Sequence, residues 1–188
     1  MKRRPPKALL IDFDGVLRVY DRDPGPFLQA GLEWSRYIPA VTGAWTRAQW
    51  LDSIAEATGA DRDEVTEWDS YRGRIDRTVL EFVREVRAGG KTVALTTNAT
   101  SDLREDLARF GLDADFDHVF SSAEIGWHKP SREYFITVLE QLRLPAGECL
   151  LVDDTARNVA GARAAGLLAM RWTGLGDLGY LRAALLAG

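Results

Sequence analysis

Residues 8–11, Ala-Leu-Leu-Ile, form an unbroken apolar run that stops at Asp12-Phe13-Asp14-Gly15. Short runs of this kind suit strands buried on both faces of a parallel sheet. Residues 91–96 (KTVALT) and 149–152 predict two more such strands, each closing on a polar cluster, and 118–121 and 168–172 predict weaker ones. Between them the period lengthens. Val79, Phe82, Val83 and Val86 recur at helical spacing, with Asp76 placed to cap the start and Gly89 to stop the end. Leu103, Leu107 and Phe110 repeat the pattern before Gly111, and Phe135, Val138, Leu139 and Leu142 make a third stripe. A fourth helix, rich in small residues, is expected over 156–165 and closes at Gly166. Strands alternating with helices predict an α/β fold with a parallel sheet, in which ligands gather at the carboxyl ends of the strands.

The alternation breaks between about residues 21 and 75. This segment opens on Asp23-Pro24-Gly25-Pro26, a turn signal. It holds Trp34, Trp45, Trp50 and Trp68, four of the six tryptophans. Helices are expected over 53–60 and 63–71, and no strand is convincing. The expectation is a helical insertion, its tryptophans packing a small bundle, between two parts of one core (residues 1–20 and 76–188).

Composition narrows the function classes. The 188-residue chain carries 24 Lys and Arg against 28 Asp and Glu, a net charge of −4. A mildly acidic chain is a poor general nucleic-acid binder, since phosphate contacts need clustered cations. Its one basic run, Lys2, Arg3, Arg4 and Lys7, reads as a solvated tail. The single cysteine, Cys149, excludes an internal disulfide and a Cys-based zinc cluster, and its apolar setting suits a buried thiol. No apolar stretch approaches the roughly 18 residues of a membrane span. The run that ends at Asp12 is shorter than a signal-peptide core of about 7–15 residues. A cytoplasmic setting is therefore expected.

Four polar clusters carry the chemistry. Asp12 and Asp14 sit two apart at the end of the first strand, where extended backbone turns both carboxylates to one side. Crowded carboxylates favour a bound metal ion or a split into acid and base. Asp153-Asp154 ends another strand, and on regular strand geometry only one of the two need reach the first pair. Oxygen ligands from separate strands make a hard site suited to Mg²⁺ rather than zinc. Thr97-Asn98 offers a hydroxyl, an amide and backbone N–H groups near a helix start, which favour an anion. Lys129, in Gly126-Trp127-His128-Lys129-Pro130, precedes a helix against the dipole and hints at a negative partner; His128 reads as solvent-facing. Gly174-x-Gly176-x-x-Gly179 fits the dinucleotide fingerprint only superficially, because such a site also needs a following strand and a distant acid.

With DFDGVL, LTTN, GWHKP and LLVDDTARNVAGARAAGL in that order, the chain resembles the haloacid dehalogenase-like hydrolase superfamily, most closely the subgroup with a small helical cap after the first strand. The resemblance implies a Rossmann-like parallel sheet core with the inserted cap over 21–75. It implies a Mg²⁺-dependent phosphatase acting on a small-molecule phosphate ester, such as a sugar phosphate. Asp12 would be the nucleophile that becomes an aspartyl-phosphate, and Asp14 would protonate the leaving oxygen and then activate water. Thr97, Asn98 and Lys129 would hold the phosphoryl group. Mg²⁺ would be held by Asp12, the Asp14 carbonyl and Asp154, with Asp153 close by or a second ligand. Substrate choice would lie in the cap, with Arg18, Tyr20 or Trp127 at its rim. A phosphomutase shares every motif. A 2-haloacid dehalogenase needs neither Asp14 nor Asp153-Asp154, and a non-catalytic binding module would not need the full set of side chains.

Overall fold

The computed structural model describes residues 5–23 and 25–186. Lys2, Arg3 and Arg4 of the basic run, and Pro24 of the predicted turn, lie outside the described residues; Lys7 is exposed and pairs with Glu148 at 2.8 Å.

The chain runs β1 (Ala8–Ile11), β2 (Arg18–Val19), α1 (Gly25–Gly31), α2 (Trp34–Val41), α3 (Arg47–Thr58), α4 (Arg62–Ser70), β3 (Arg74–Ile75) and α5 (Arg77–Ala88). It continues through β4 (Thr92–Thr97), α6 (Leu103–Phe110), β5 (His118–Ser121), α7 (Ser122–Ile125) and α8 (Arg132–Leu142). It closes with β6 (Cys149–Asp153), α9 (Ala156–Ala164), β7 (Leu168–Arg171) and α10 (Leu178–Leu185). Five strands form one parallel sheet in the order β5-β4-β1-β6-β7. This is an α/β, Rossmann-like sheet with helices on both faces.

The unbroken apolar strands have a simple cause. Leu9, Ile11, Val93, Leu95, Leu150 and Val152 point to one face, into a cluster with α5, α6 and α10. Ala8, Leu10, Ala94, Cys149 and Leu151 point to the other, against α8 and Ala162 of α9. With both faces covered, neither set of alternate positions can be polar. The predicted helix ends hold as well: Asp76 accepts from the N–H groups of Thr78 (2.9 Å) and Val79 (3.2 Å), and α5 stops at Gly89.

The segment between β2 and β3 differs in detail from expectation. Among the described residues it holds four helices rather than two, around a separate cluster of Ala40, Trp50, Leu51, Ile54 and Val65 with Phe27 and Trp68 against it. It also ends on a strand the sequence does not reveal. Arg74–Ile75 pairs antiparallel with Arg18–Val19, so the entry and exit of the insertion are hydrogen-bonded together. Two-residue strands are too short to show alternation. Trp50 and Trp68 pack the bundle as expected, whereas Trp34 is 59% exposed.

Candidate active site

β1 is paired on both sides, with β4 and β6, so chain order reverses across it. In parallel α/β sheets the crevice at such a switch point, beyond the carboxyl ends of the strands, is where ligands bind. Asp12 follows β1, Thr97 ends β4 and Asp153 ends β6, and all three are buried.

Lys129 joins them. Its ammonium lies 2.9 Å from Asp12 Oδ1 and 2.6 Å from Asp153 Oδ2, and donates to the Thr96 carbonyl at 2.8 Å. All three ammonium hydrogens thus have acceptors, which a fully buried lysine requires. Burial alone would depress the ammonium, but Asp12 and Asp153 push its pKa above the ordinary lysine value. Asn98 holds the lysine in place: its Oδ1 accepts from the Lys129 N–H (2.7 Å), and its Nδ2 donates to the Lys129 carbonyl (2.9 Å) and to the Tyr37 hydroxyl (3.1 Å). Both amide hydrogens are therefore engaged within the protein, in place of the anion contact expected for this side chain. The Ala99 N–H is likewise taken, by Ser122 Oγ at 3.0 Å. Thr97 is different. Its hydroxyl is buried and has no hydrogen-bond partner among the described residues, a condition that costs free energy until an acceptor or donor arrives.

Carboxylate oxygens of Asp12, Asp153 and Asp154 all lie within 4.8 Å of one another. Both members of the adjacent pair therefore reach the site, because the strand turns at its end. Thr155 N–H donates to Asp153 Oδ1 at 2.9 Å, and Asn158 Nδ2 bridges both Asp153 oxygens at 3.1 Å. Gly15 explains the room for Asp154. It sits at φ +83°, and a Cβ there would stand 2.2 Å from Asp154 Oδ2. Its missing side chain admits the carboxylate as well as the turn. Burial pushes the Asp12 carboxyl well above the usual range, and burial likewise raises Asp154. Three carboxylates face one ammonium, and the donor set is all oxygen. Such a set fits a small hard divalent cation.

Asp14 is set apart from this cluster. Its two oxygens accept from Arg18 Nε (2.6 Å) and Nη2 (2.9 Å), with the Tyr20 hydroxyl 3.3 Å from Oδ1. Arg18 is 6% exposed, so it is not the free rim residue that the sequence suggests. His128 also departs from expectation: it is half-buried, edge-on to the rings of Trp34 (5.8 Å) and Tyr37 (6.5 Å), with the Arg157 guanidinium 5.7 Å from Trp34. Tyr37 and Asn158 carry no sequence signal that sets them apart from other polar helix residues. Trp127 is exposed. No helix among the described residues is long and apolar enough to cross a membrane.

Known proteins are similar to this chain in sequence and in fold. A family model of haloacid dehalogenase-like hydrolases matches residues 6–166. The chain is 37% identical to ribulose-1,5-bisphosphate 5-phosphatase of Halopiger xanaduensis, over 53% of this chain and 44% of that protein. It spans about half the length, or less, of several curated relatives that it matches. A phosphatase of Mycobacterium tuberculosis is 31% identical over 86% of this chain and 85% of its own. A HAD family enzyme of Bacteroides thetaiotaomicron, solved with magnesium and inorganic phosphate, has the same fold: TM-score 0.76, 23% identity, 94% of this chain and 98% of that one. The family model's span and the match to the mycobacterial protein over most of both lengths lead to one conclusion: the chain belongs to the haloacid dehalogenase-like hydrolases.

Proposed function

We propose that this protein is a Mg²⁺-dependent phosphatase acting on small phosphorylated metabolites, sugar-phosphate-like in class, through an aspartyl-phosphate on Asp12. The observation that carries the proposal is the charge balance at the switch point: Asp12, Asp153 and Asp154 cluster around one buried ammonium, that of Lys129, which pairs with Asp12 and Asp153, and a second cation would complete the site. The names of the relatives, phosphatases of a sugar bisphosphate and of unspecified substrate, support the same reaction class.

Asp12, Asp154 and the backbone of Asp14 would hold Mg²⁺, with Asp153 as a second-rank ligand because Lys129, Thr155 and Asn158 already occupy its oxygens. When bound, the ion neutralises phosphoryl charge and helps ionise the buried carboxylates. Asp12 attacks phosphorus in line and the ester oxygen departs, taking a proton from Asp14. Asp14, now a carboxylate, accepts a proton from water as the water attacks the acyl phosphate, and inorganic phosphate leaves with Asp12 restored. Thr97 donates its unpartnered hydroxyl to a phosphoryl oxygen and Lys129 supplies positive charge beneath it. Asn98 acts by fixing Lys129. The helices α1–α4, residues 21–75 with their connections, serve as a cap that covers the leaving group and sets substrate choice.

A panel of phosphomonoesters assayed with Mg²⁺ and with EDTA tests this directly. Metal-dependent release of phosphate is expected, and Asp12→Asn should abolish it, because an amide cannot form the acyl phosphate. Absence of metal-dependent turnover across the panel, a chromogenic aryl phosphate included, would overturn the proposal. Alanine substitution of exposed residues on α1 and α2 should reorder the preferred esters; unchanged relative rates would place specificity elsewhere.

A further inference from the structure

Among the described residues Arg18 is the most deeply buried arginine that touches a proposed site residue, and each of its three guanidinium nitrogens donates to a carboxylate. Nε and Nη2 clamp the two oxygens of Asp14 at 2.6 and 2.9 Å, while Nη1 donates to Asp106 Oδ2 at 2.5 Å. Its guanidinium lies 4.3 Å from the Phe13 ring centroid and 5.4 Å from that of Tyr20. The intervening turn is closed by backbone bonds, Arg18 N–H to the Phe13 carbonyl (2.7 Å) and Gly15 N–H to the Arg18 carbonyl (2.8 Å). The geometry is that of a rigid fork anchored at both ends.

The far end is anchored as well. Asp106, buried on α6, meets Arg72 Nε at 3.3 Å with its other oxygen. Arg72 pairs in turn with Asp102 and, at 3.6 Å, with Asp69; Arg47 pairs with Asp69 and lies 3.5 Å from Asp102. Four carboxylates and three guanidiniums thus form one chain from Asp14 through α6 to helices α3 and α4.

Burying a guanidinium carries a desolvation penalty that pairing must offset. An aliphatic side chain would fill the space between Phe13 and Tyr20 without that cost. What the arginine adds is a two-point grip on a carboxylate plane. Of the two carboxylates that Arg18 holds, Asp14 is the one two residues from Asp12; its side chain is 40% exposed, with the Tyr20 hydroxyl at 3.3 Å as a further contact. We infer that Arg18 is a positioning residue: anchored by Asp106, it fixes the carboxylate of Asp14 in the orientation that general acid–base transfer requires. The inference rests on the acid–base role proposed for Asp14 above.

The experiment separates the two. Proton donation matters for an alkoxide leaving group and hardly for nitrophenolate. First-turnover rates are measured with an alkyl phosphate and with p-nitrophenyl phosphate, at saturating Mg²⁺, for Asp14→Asn, Arg18→Gln, Arg18→Lys, Asp106→Asn and the Asp14→Asn/Arg18→Gln double variant. Arg18→Gln is expected to slow the alkyl ester on the order of 10–100-fold, the size of a misplaced catalytic group, and to leave the aryl ester near wild type. Arg18→Lys should recover only part, since an ammonium lacks the fork, and Asp106→Asn should show the same ester selectivity more weakly. The double variant should be no slower than Asp14→Asn alone. A crystal structure of Arg18→Gln should show Asp14 spread over more than one rotamer. If Arg18→Gln does not fold, Arg18→Lys and Asp106→Asn carry the same selectivity test. An Asp14→Asn variant with wild-type rates on both esters overturns the functional reading itself. If Asp14→Asn is impaired, the inference fails when the Arg18 and Asp106 variants are unimpaired, faster, or slowed equally on both esters. It also fails when the Arg18 effect multiplies that of Asp14→Asn.

Discussion

A lysine with 1% of its side chain exposed persists only because Asp12 and Asp153 neutralise it and three acceptors surround its ammonium. Lys129→Met keeps the volume and removes the charge, which leaves two buried carboxylates opposed only to each other. In EDTA that variant is expected to lose about 3–5 kcal/mol, the usual cost of breaking a buried pair by deleting one partner. Urea denaturation measures it, and a stability equal to wild type would mean that Lys129 is not the counter-ion described. Cys149 gives a second test. Burial, with Glu148 beside it, pushes its thiol up to about 11, so at pH 8 it is protonated and enclosed. A disulfide reagent at that pH should leave the native protein unmodified and titrate one thiol in urea; rapid native reaction would contradict the burial. Lys129 is legible in the sequence because a cation at a helix start opposes the dipole and calls for a partner. Arg18 is not, since nothing local distinguishes an arginine folded under a turn from one at a pocket rim. The distinction is made by Asp106, 88 residues away.

At the scale of elements, what sequence periodicity can show depends on length. The stripes of α5, α6 and α8 repeat over about two turns or more; α5 begins after Asp76 and stops at Gly89 as expected, α6 ends before Gly111, and the third stripe lies within Arg132–Leu142. α1 opens on Gly25-Pro26 and α2 carries Pro39 inside it, so both read as broken chain. The joint between these helices and the sheet includes an ion-pair network, which leaves no hydrophobic pattern either. Asp102 sits at its centre. Burial alone would raise its carboxyl, but Arg47, the Thr100 hydroxyl and Arg72 hold it below the usual carboxylate range. A carboxyl depressed in the folded state contributes stability above its unfolded value of about 3.9 and loses that contribution as pH falls toward the folded value. Asp102→Asn is therefore expected to cost about 1–3 kcal/mol at pH 6, as charged hydrogen bonds are lost. The gap between the two melting curves should close below about pH 4. A gap that stays constant from pH 6 to pH 3 would show that charge on Asp102 is not what joins the elements.

Across the whole molecule, the strand order β5-β4-β1-β6-β7 appears in no local pattern, yet it alone decides which strand ends share a crevice. The sequence shows four polar clusters, each after a strand or before a helix; only pairing of β1 with both β4 and β6 makes them one site. That site is assembled by global folding, so its charge imbalance is a property of the folded state and is absent from the extended chain. A cation that the cluster binds must then stabilise the fold by linkage, with no dependence on any substrate. Adding Mg²⁺ to the metal-free protein should raise the melting temperature roughly with the logarithm of the free ion once that exceeds the dissociation constant, the stabilisation being about 2.7 kcal/mol at 100-fold excess. Asp154→Asn should weaken this response while changing stability in EDTA little, because Asp154 is only half-buried and has no cationic side-chain partner within the cluster. Asp153→Asn should act oppositely: it removes a partner of Lys129 and so lowers stability even in EDTA. If Mg²⁺ leaves the melting curve of the wild-type protein unmoved at millimolar concentration, these three carboxylates are not a magnesium site. The same result obtained with Asp154→Asn alone, against a clear wild-type shift, would identify Asp154 as the carboxylate on which the metal depends.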